Sequence, residues 1–282
     1  MKNRTFPHLV MICLALILIP NVTGYTHASD ANLRYPSATD IKHDEFDPSL
    51  YMKLQSIEAL TSYLDQNFKG VKNSFEFVNF MAEVICKRFY HSFSFYTTND
   101  NWVAGIAGKM IRQDLAAIVL PEDIMKFPNA ACSQQSIVLM ECARRYGLDY
   151  RTVGFDHHYA VEIRVKGQWH YIDTNIEVIT KNESLQELIQ SGRFYQLYMS
   201  RLPERDIRLY LAHPTYGKVN SIPAPQAAIF QRCAYWVSDY FICILMVIQT
   251  ALFYLYLMRD KKNFPTMGIF SSRPLDVFRI SR

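Results

Sequence analysis

The stretch A131-CSQQSIVLMECARRYGLDYRTVGFDHHYAVEIRVKGQWHYIDTN-175 decides how the rest of the chain is read. Cys132 opens a helical pattern, His158 opens a strand and Asp173 closes the next strand. In that order they are the parts of a thiol nucleophile, its base and the group that orients the base. Ser136, Leu139, Met140 and Ala143 recur at helical spacing, and Gly147 stops the helix after Arg144 and Arg145. Cys132 therefore lies at a helix N-terminus, where unpaired N–H groups and the helix dipole favour the thiolate.

The strand pair follows. Tyr159, Val161, Ile163 and Val165 alternate with His158, Ala160, Glu162 and Arg164, which predicts one apolar face turned inward and one different face. Lys166-Gly167 suits a two-residue turn. With that turn Val165 faces Gln168 and Ala160 faces Asp173. His158 and Asp173 become diagonal neighbours on one face, roughly 7–8 Å apart along the backbone. A slip of one residue would move Asp173 to the other face. His157 is a second candidate base; strand alternation favours His158, because His157 would point to the apolar face.

These segments resemble the transglutaminase-like core. The resemblance rests on Cys132 at a helix start, Gly147 to Val153, His158 to Ile163 and Trp169 to Asp173, and covers about 102–175, less than a third of the chain. It implies an α+β fold with a papain-like arrangement, a nucleophile helix packed on an antiparallel sheet. It further implies Cys132 as nucleophile, His158 as base and Asp173 as orienting acid, with no cofactor. Tyr159 departs from the family, in which small residues are common there.

Before this core, Asp47-Pro48 reads as the start of a helix whose stripe Leu50, Leu54, Ile57, Leu60, Leu64 and Phe68 ends at Gly70. Asn73 with Glu76 reads as a capping box for a second helix burying Phe77, Phe80, Met81, Val84, Ile85 and Phe89. Trp102 to Ile111 suits a short helix, with Trp102 a candidate wall of the cleft. Gln134 and Gln135 are expected to be solvated. A second oxyanion donor beside the Cys132 N–H is not named by the sequence. After the core, Ser184 to Gln190 reads as helix and Phe194 to Leu211 as mixed. Asn182-Glu183-Ser184 would accept glycosylation in a eukaryotic secretory host.

The ends carry a different message. Residues 1–28 read as an export signal or N-terminal anchor, with Lys2 and Arg4 before the apolar run Leu9 to Ile19. A linker spans 29–46, and the transglutaminase-like domain 47–222. Tyr240 to Met258 has no charge in nineteen residues, about 29 Å of helix against a bilayer core of roughly 30 Å. It anchors an expected transmembrane helix over 234–258, with Trp236 and Tyr240 suited to the interface and Gln249 to pairing across helices. A basic tail over 259–282 would be cytoplasmic, and the domain extracytoplasmic or periplasmic.

The net charge of +4 sits in these ends: +2 in residues 1–28 and +4 in 259–282, which leaves −2 between them. Nothing in that balance favours a nucleic-acid partner. Of six cysteines, only Cys86, Cys132 and Cys142 fall in the exported part. They permit a Cys86–Cys142 disulfide, or two buried thiols, with Cys132 free. No ligand spacing suggests zinc or calcium. The expectation is a membrane-tethered thiol hydrolase or transamidase, cysteine protease-like, acting on a protein or peptide of the cell envelope. The partners implied are that substrate, the lipid bilayer and membrane proteins met through the span. The rival expectation is an inactive envelope interaction or scaffold module of the same fold.

Overall fold

The structure is a computed structural model that describes residues 46–262, apart from Glu177 and Lys181. The expected export signal, nearly all of the linker and residues 263–282 of the tail lie outside the described residues. The described chain divides into one compact unit ending at Ser238 and another beginning at Asp239.

Helices open the first unit. Asp47 caps α1 (Pro48–Lys53) through its side chain, which accepts from the Ser49 and Leu50 N–H groups at 2.8 and 3.4 Å. The single long helix expected here is broken. Ser56 starts α2 (Ile57–Asn67) anew, its Oγ accepting from Ala59 N at 3.1 Å. A serine hydroxyl competes with the helix for backbone donors and so favours the cap. The carbonyl released at Leu54 is taken by Arg88 Nε at 2.9 Å. Leu50, Leu54, Ile57, Leu60 and Leu64 stay buried across the break. α3 (Phe75–Arg88) is capped by Ser74, one residue later than Asn73, with Ser74 Oγ accepting from Phe77 N.

α4 (Trp102–Met110) is capped by Asn101, and the short α5 (Pro121–Ile124) begins on its proline. Then come α6 (Cys132–Arg145), β1 (Asp149–Phe155), β2 (His158–Val165), β3 (Gln168–Asp173) and β4 (Val178–Ile179). α7 (Leu185–Gln190), α8 (Arg193–Tyr198), α9 (Glu204–Ala212), β5 (Thr215–Tyr216) and α10 (Pro225–Lys262) follow. The five strands form an antiparallel sheet ordered β4-β3-β2-β1-β5. The fold class is therefore α+β, as expected.

The register is the expected one. Val165 pairs with Gln168 and Val161 with Ile172, and Lys166 and Gly167 both have positive φ, at 49° and 85°. A two-residue hairpin turn of that hand matches the strand twist, and glycine adopts it without a Cβ penalty. Gly147, at φ 68°, ends α6, and Leu148 N returns to Ala143 O at 2.9 Å.

The sheet differs from expectation in being covered on both faces. Val161, Ile163, Val165 and Ile172 join α2, α3 and α6 in one core. Val153, Phe155, Ala160 and Tyr171 join Leu185, Leu188, Phe194, Tyr198 and Ile207 of α7, α8 and α9 in a second. The face bearing His158 is thus walled by the segment after Asn175, whose role the alternation of β2 does not reveal. Glu162 on that face is fully buried and fully paired. Its Oε2 meets Arg151 Nε and Nη2 at 2.7 and 2.6 Å, and its Oε1 accepts from Leu185 N at 2.7 Å.

The first compact unit also runs past the expected boundary at 222. Ala228, Gln231, Ala234 and Ser238 form the buried face of α10 within it. Gln231 donates to Ala117 O at 2.6 Å and accepts from Val119 N at 3.0 Å. The unit from Asp239 on contains the remaining helical turns of α10. Among the described residues no single helix is long and apolar enough to cross a membrane. Pro225–Tyr240 and Cys243–Leu255 have that length and apolar composition only when taken together.

Candidate active site

Four local devices bring the site together. The first is the start of α6. Its N-cap, Ala131, has no side chain able to cap. Gln134, three residues on, takes over: its Oε1 accepts from Ala131 N at 3.1 Å and from Ser94 N at 3.0 Å. Its Nε2 donates to Ser94 O at 2.9 Å and Ile118 O at 2.8 Å. Gln134 is 1% exposed and Gln135 2%, so the expectation that both are solvated is corrected. The amide of Gln134 is the peg that ties the start of the Cys132 helix to two neighbouring segments. Leaving those buried groups unpaired would cost more than hydrating one surface glutamine gains.

The second device is a loop anchor. Arg88 is fully buried and donates to the carbonyls of Leu54, Phe127 and Met125. Burial lowers its pKa to about 9. By holding Met125 and Phe127, it fixes the approach to Cys132.

The third device is the β1–β2 turn, Asp156-His157. His157 sits at its tip with φ 58° and a side chain 95% exposed. It is set aside as the base because it occupies a turn in solvent. The reason is not the one expected, since it does not lie on a strand face. The next residue, His158, pairs with Phe155 across the hairpin and is 3% exposed.

The fourth device is the end of β3. Asp173 is fully buried, and each of its oxygens takes two donors. Oδ1 accepts from the Asn175 and Ile176 N–H groups at 3.1 and 3.2 Å. Oδ2 lies 2.6 Å from His158 Nε2 and accepts from the Tyr198 hydroxyl at 2.6 Å. Burial opposes its charge, but His158 and these donors hold its pKa below the usual carboxylate value.

His158 binds Asp173 through Nε2, which leaves Nδ1 as the ring nitrogen for the thiol. Burial works against protonation of the ring. The Asp173 carboxylate, with the neighbouring Cys132, outweighs it and raises the pKa to about 10. All three predicted site residues are thus brought together from a helix start, a strand start and a strand end. Cys132 is buried, at 8% exposed.

Two aromatic residues at the site were not foreseen. Tyr210 of α9 lies parallel to the His158 ring, with centroids 5.0 Å apart and planes 7° apart. Burial, with the charges of Asp173 and Cys132 nearby, raises its pKa. Tyr198 of α8 is the hydroxyl donor to Asp173. A helical reading of Phe194 with Tyr198, and of Ile207 with Tyr210, would have buried these side chains. Nothing local connects them to residues 25 or more positions earlier. The aromatic rings beside His158 are those of Phe155 and Tyr210. Trp102, the residue expected to wall the cleft, opens α4.

Cys86, Cys132, Cys142, Cys233 and Cys243 are all reduced, so of the two readings the structure has buried thiols at 86 and 142. Burial pushes the Cys142 pKa up to about 12. Among the described residues no group of three His, Cys, Asp or Glu is placed to hold a metal ion.

No protein-family model matches the chain, and no curated protein matches it. One solved structure, described as a "Crystal structure of a TGase", is similar over 59% of this chain at 15% identity and a TM-score of 0.31. The match spans 40% of that structure's chain. A likeness at that score carries no argument for fold or activity.

Proposed function

We propose that this chain is a thiol enzyme of the transglutaminase-like kind that acts on amide or acyl bonds through Cys132, His158 and Asp173. The observation that carries the reading is the buried 2.6 Å contact between His158 Nε2 and Asp173 Oδ2, made by a ring whose protonation is also favoured by the neighbouring Cys132. A catalytic thiol needs a base, and the base needs a fixed tautomer. Asp173 fixes that tautomer by accepting the Nε2 proton.

In the proposed cycle the Cys132 sulfur attacks the carbonyl carbon, and His158 holds the thiol proton on Nδ1. The tetrahedral intermediate expels an amine, which takes that proton, and a thioester to Cys132 remains. Water or a second amine then attacks the thioester and passes a proton back to His158, and the C–S bond breaks to release the acyl product and return Cys132 as its thiolate. Water gives a peptidase or amidase, and an amine gives a transamidase.

The site is proposed to face the outside of the cell membrane, tethered by a span over Tyr240–Met258 with a cytoplasmic C-terminus. The uncharged run and the cations that follow it support this reading. The substrate would then be a protein or peptide of the cell envelope.

The test is an electrophilic acyl probe applied to wild type, Cys132→Ala and His158→Ala. Labelling confined to wild type is expected. Equal labelling of all three would remove the catalytic reading and leave a non-enzymatic interaction module.

A further inference from the structure

Asp173 Oδ2 is shared. It receives His158 Nε2 and the Tyr198 hydroxyl, each at 2.6 Å. Tyr198 has a single hydroxyl proton, and that proton points at Asp173. Its oxygen can therefore only accept from its other neighbour, the Tyr171 hydroxyl, also at 2.6 Å. Proton counting fixes the direction of the chain: Tyr171 donates to Tyr198, and Tyr198 donates to Asp173.

Tyr171, Tyr198 and Asp173 are all fully buried. Tyr171 precedes Asp173 by two residues on β3 and so shares its face. Tyr198 ends α8, where Phe194 stacks on it with centroids 4.4 Å apart. Neither phenol is placed to touch a substrate. Two buried hydroxyls are also a poor way to stabilise a core, because phenylalanine fills the same volume with no polar group to satisfy. Their arrangement has a second consequence. Two donors on one carboxylate oxygen divide its charge, so the pull of Asp173 on His158 depends on Tyr198.

We propose that Tyr198 is a positioning residue, which pins Asp173 and limits how strongly that carboxylate holds the His158 proton, with Tyr171 aligning it from behind. The inference rests on the catalytic reading of Cys132, His158 and Asp173. With Tyr198 in place, the ring releases its proton to the leaving amine. Without it, the full charge of Oδ2 falls on His158 Nε2, and the ring keeps its proton to higher pH.

The experiment is alkylation of Cys132 by iodoacetate across pH, on the full-length chain in detergent, with wild type, Tyr198→Phe and Tyr171→Phe. Iodoacetate is anionic and reacts best while His158 is charged, so the alkaline fall in rate reads the loss of the ring proton. In Tyr198→Phe this fall moves up by at least about half a pH unit, and acyl-probe labelling slows about fivefold to thirtyfold. Tyr171→Phe moves it the same way by less, because Tyr198 then donates more weakly. A folded Tyr198→Phe whose profile superimposes on wild type overturns the inference and leaves the catalytic reading intact. Should Tyr198→Phe fail to fold, an unmoved profile in Tyr171→Phe overturns it instead. A wild-type profile that only rises, as for an isolated thiol near about 8.5, removes the catalytic reading and this inference with it.

Discussion

Asp173→Asn is the sharpest test of the site, because it keeps the shape of the side chain and removes its charge. In wild type the carboxylate receives four donors and is fully buried. The rise of the His158 pKa from 6.5 to about 10 corresponds to about 5 kcal/mol in favour of the charged ring. Most of that comes from Asp173, since burial acts in the opposite direction. With asparagine in place, burial is left nearly unopposed, and the ring should be neutral at pH 7. An amide can also present its NH2 group to Nε2 and turn the ring to the other tautomer. The ceiling on the loss is about four orders of magnitude in rate, and about 100-fold to 1,000-fold is expected once the pocket relaxes. The assay is single-turnover labelling of Cys132 by an acyl probe at pH 7, with far-UV circular dichroism to establish that the variant is folded. Labelling within about threefold of wild type, in a folded protein, would refute an orienting and charge-stabilising role for Asp173.

The other expectations concern stability and redox state. Gln134→Leu removes four hydrogen bonds and strands the Ser94 and Ala131 N–H groups, and should lower the unfolding free energy by about 2–4 kcal/mol in urea titration; a change below about 0.5 kcal/mol would show that Gln134 does not tie down the helix start. The pH dependence follows from the raised His158 and lowered Asp173 pKa values. The His158 contribution is fully present below its ordinary 6.5 and is lost as pH rises through about 10, whereas the Asp173 contribution is present above its ordinary 3.8 and is lost as pH falls through its lower folded value. Stability should therefore decline between pH 6.5 and 10, and His158→Ala should flatten that decline; an unchanged slope would assign it to other groups. Cys86, Cys132 and Cys142 should all be alkylated in denaturant without reductant, and a mass spectrum short of two alkyl groups would reveal a disulfide.

Features that depend on neighbours along the chain could be read from the residues. The helix from Cys132 to the stop at Gly147 was legible, because its periodicity and its glycine are local. So was the β2–β3 hairpin, since a Lys-Gly turn sets the register and the register sets the diagonal of His158 and Asp173. Asp47-Pro48 correctly marked a helix start, but the break at Ser56 was missed, because a serine cap and the carbonyl partner supplied by Arg88 outweigh a continuous apolar stripe. Contacts between distant segments settled the rest. Whether Gln134 is solvated depends on Ser94 and Ile118 lying against it, and whether His157 faces a core depends on a tight β1–β2 turn. The second cover of the sheet, with Tyr198 on Asp173 and Tyr210 over His158, arises when α8 and α9 fold back over residues far earlier in the chain. Alternation along one strand reports which side chains share a face; what lies on that face is set by which distant segment buries its own apolar side there.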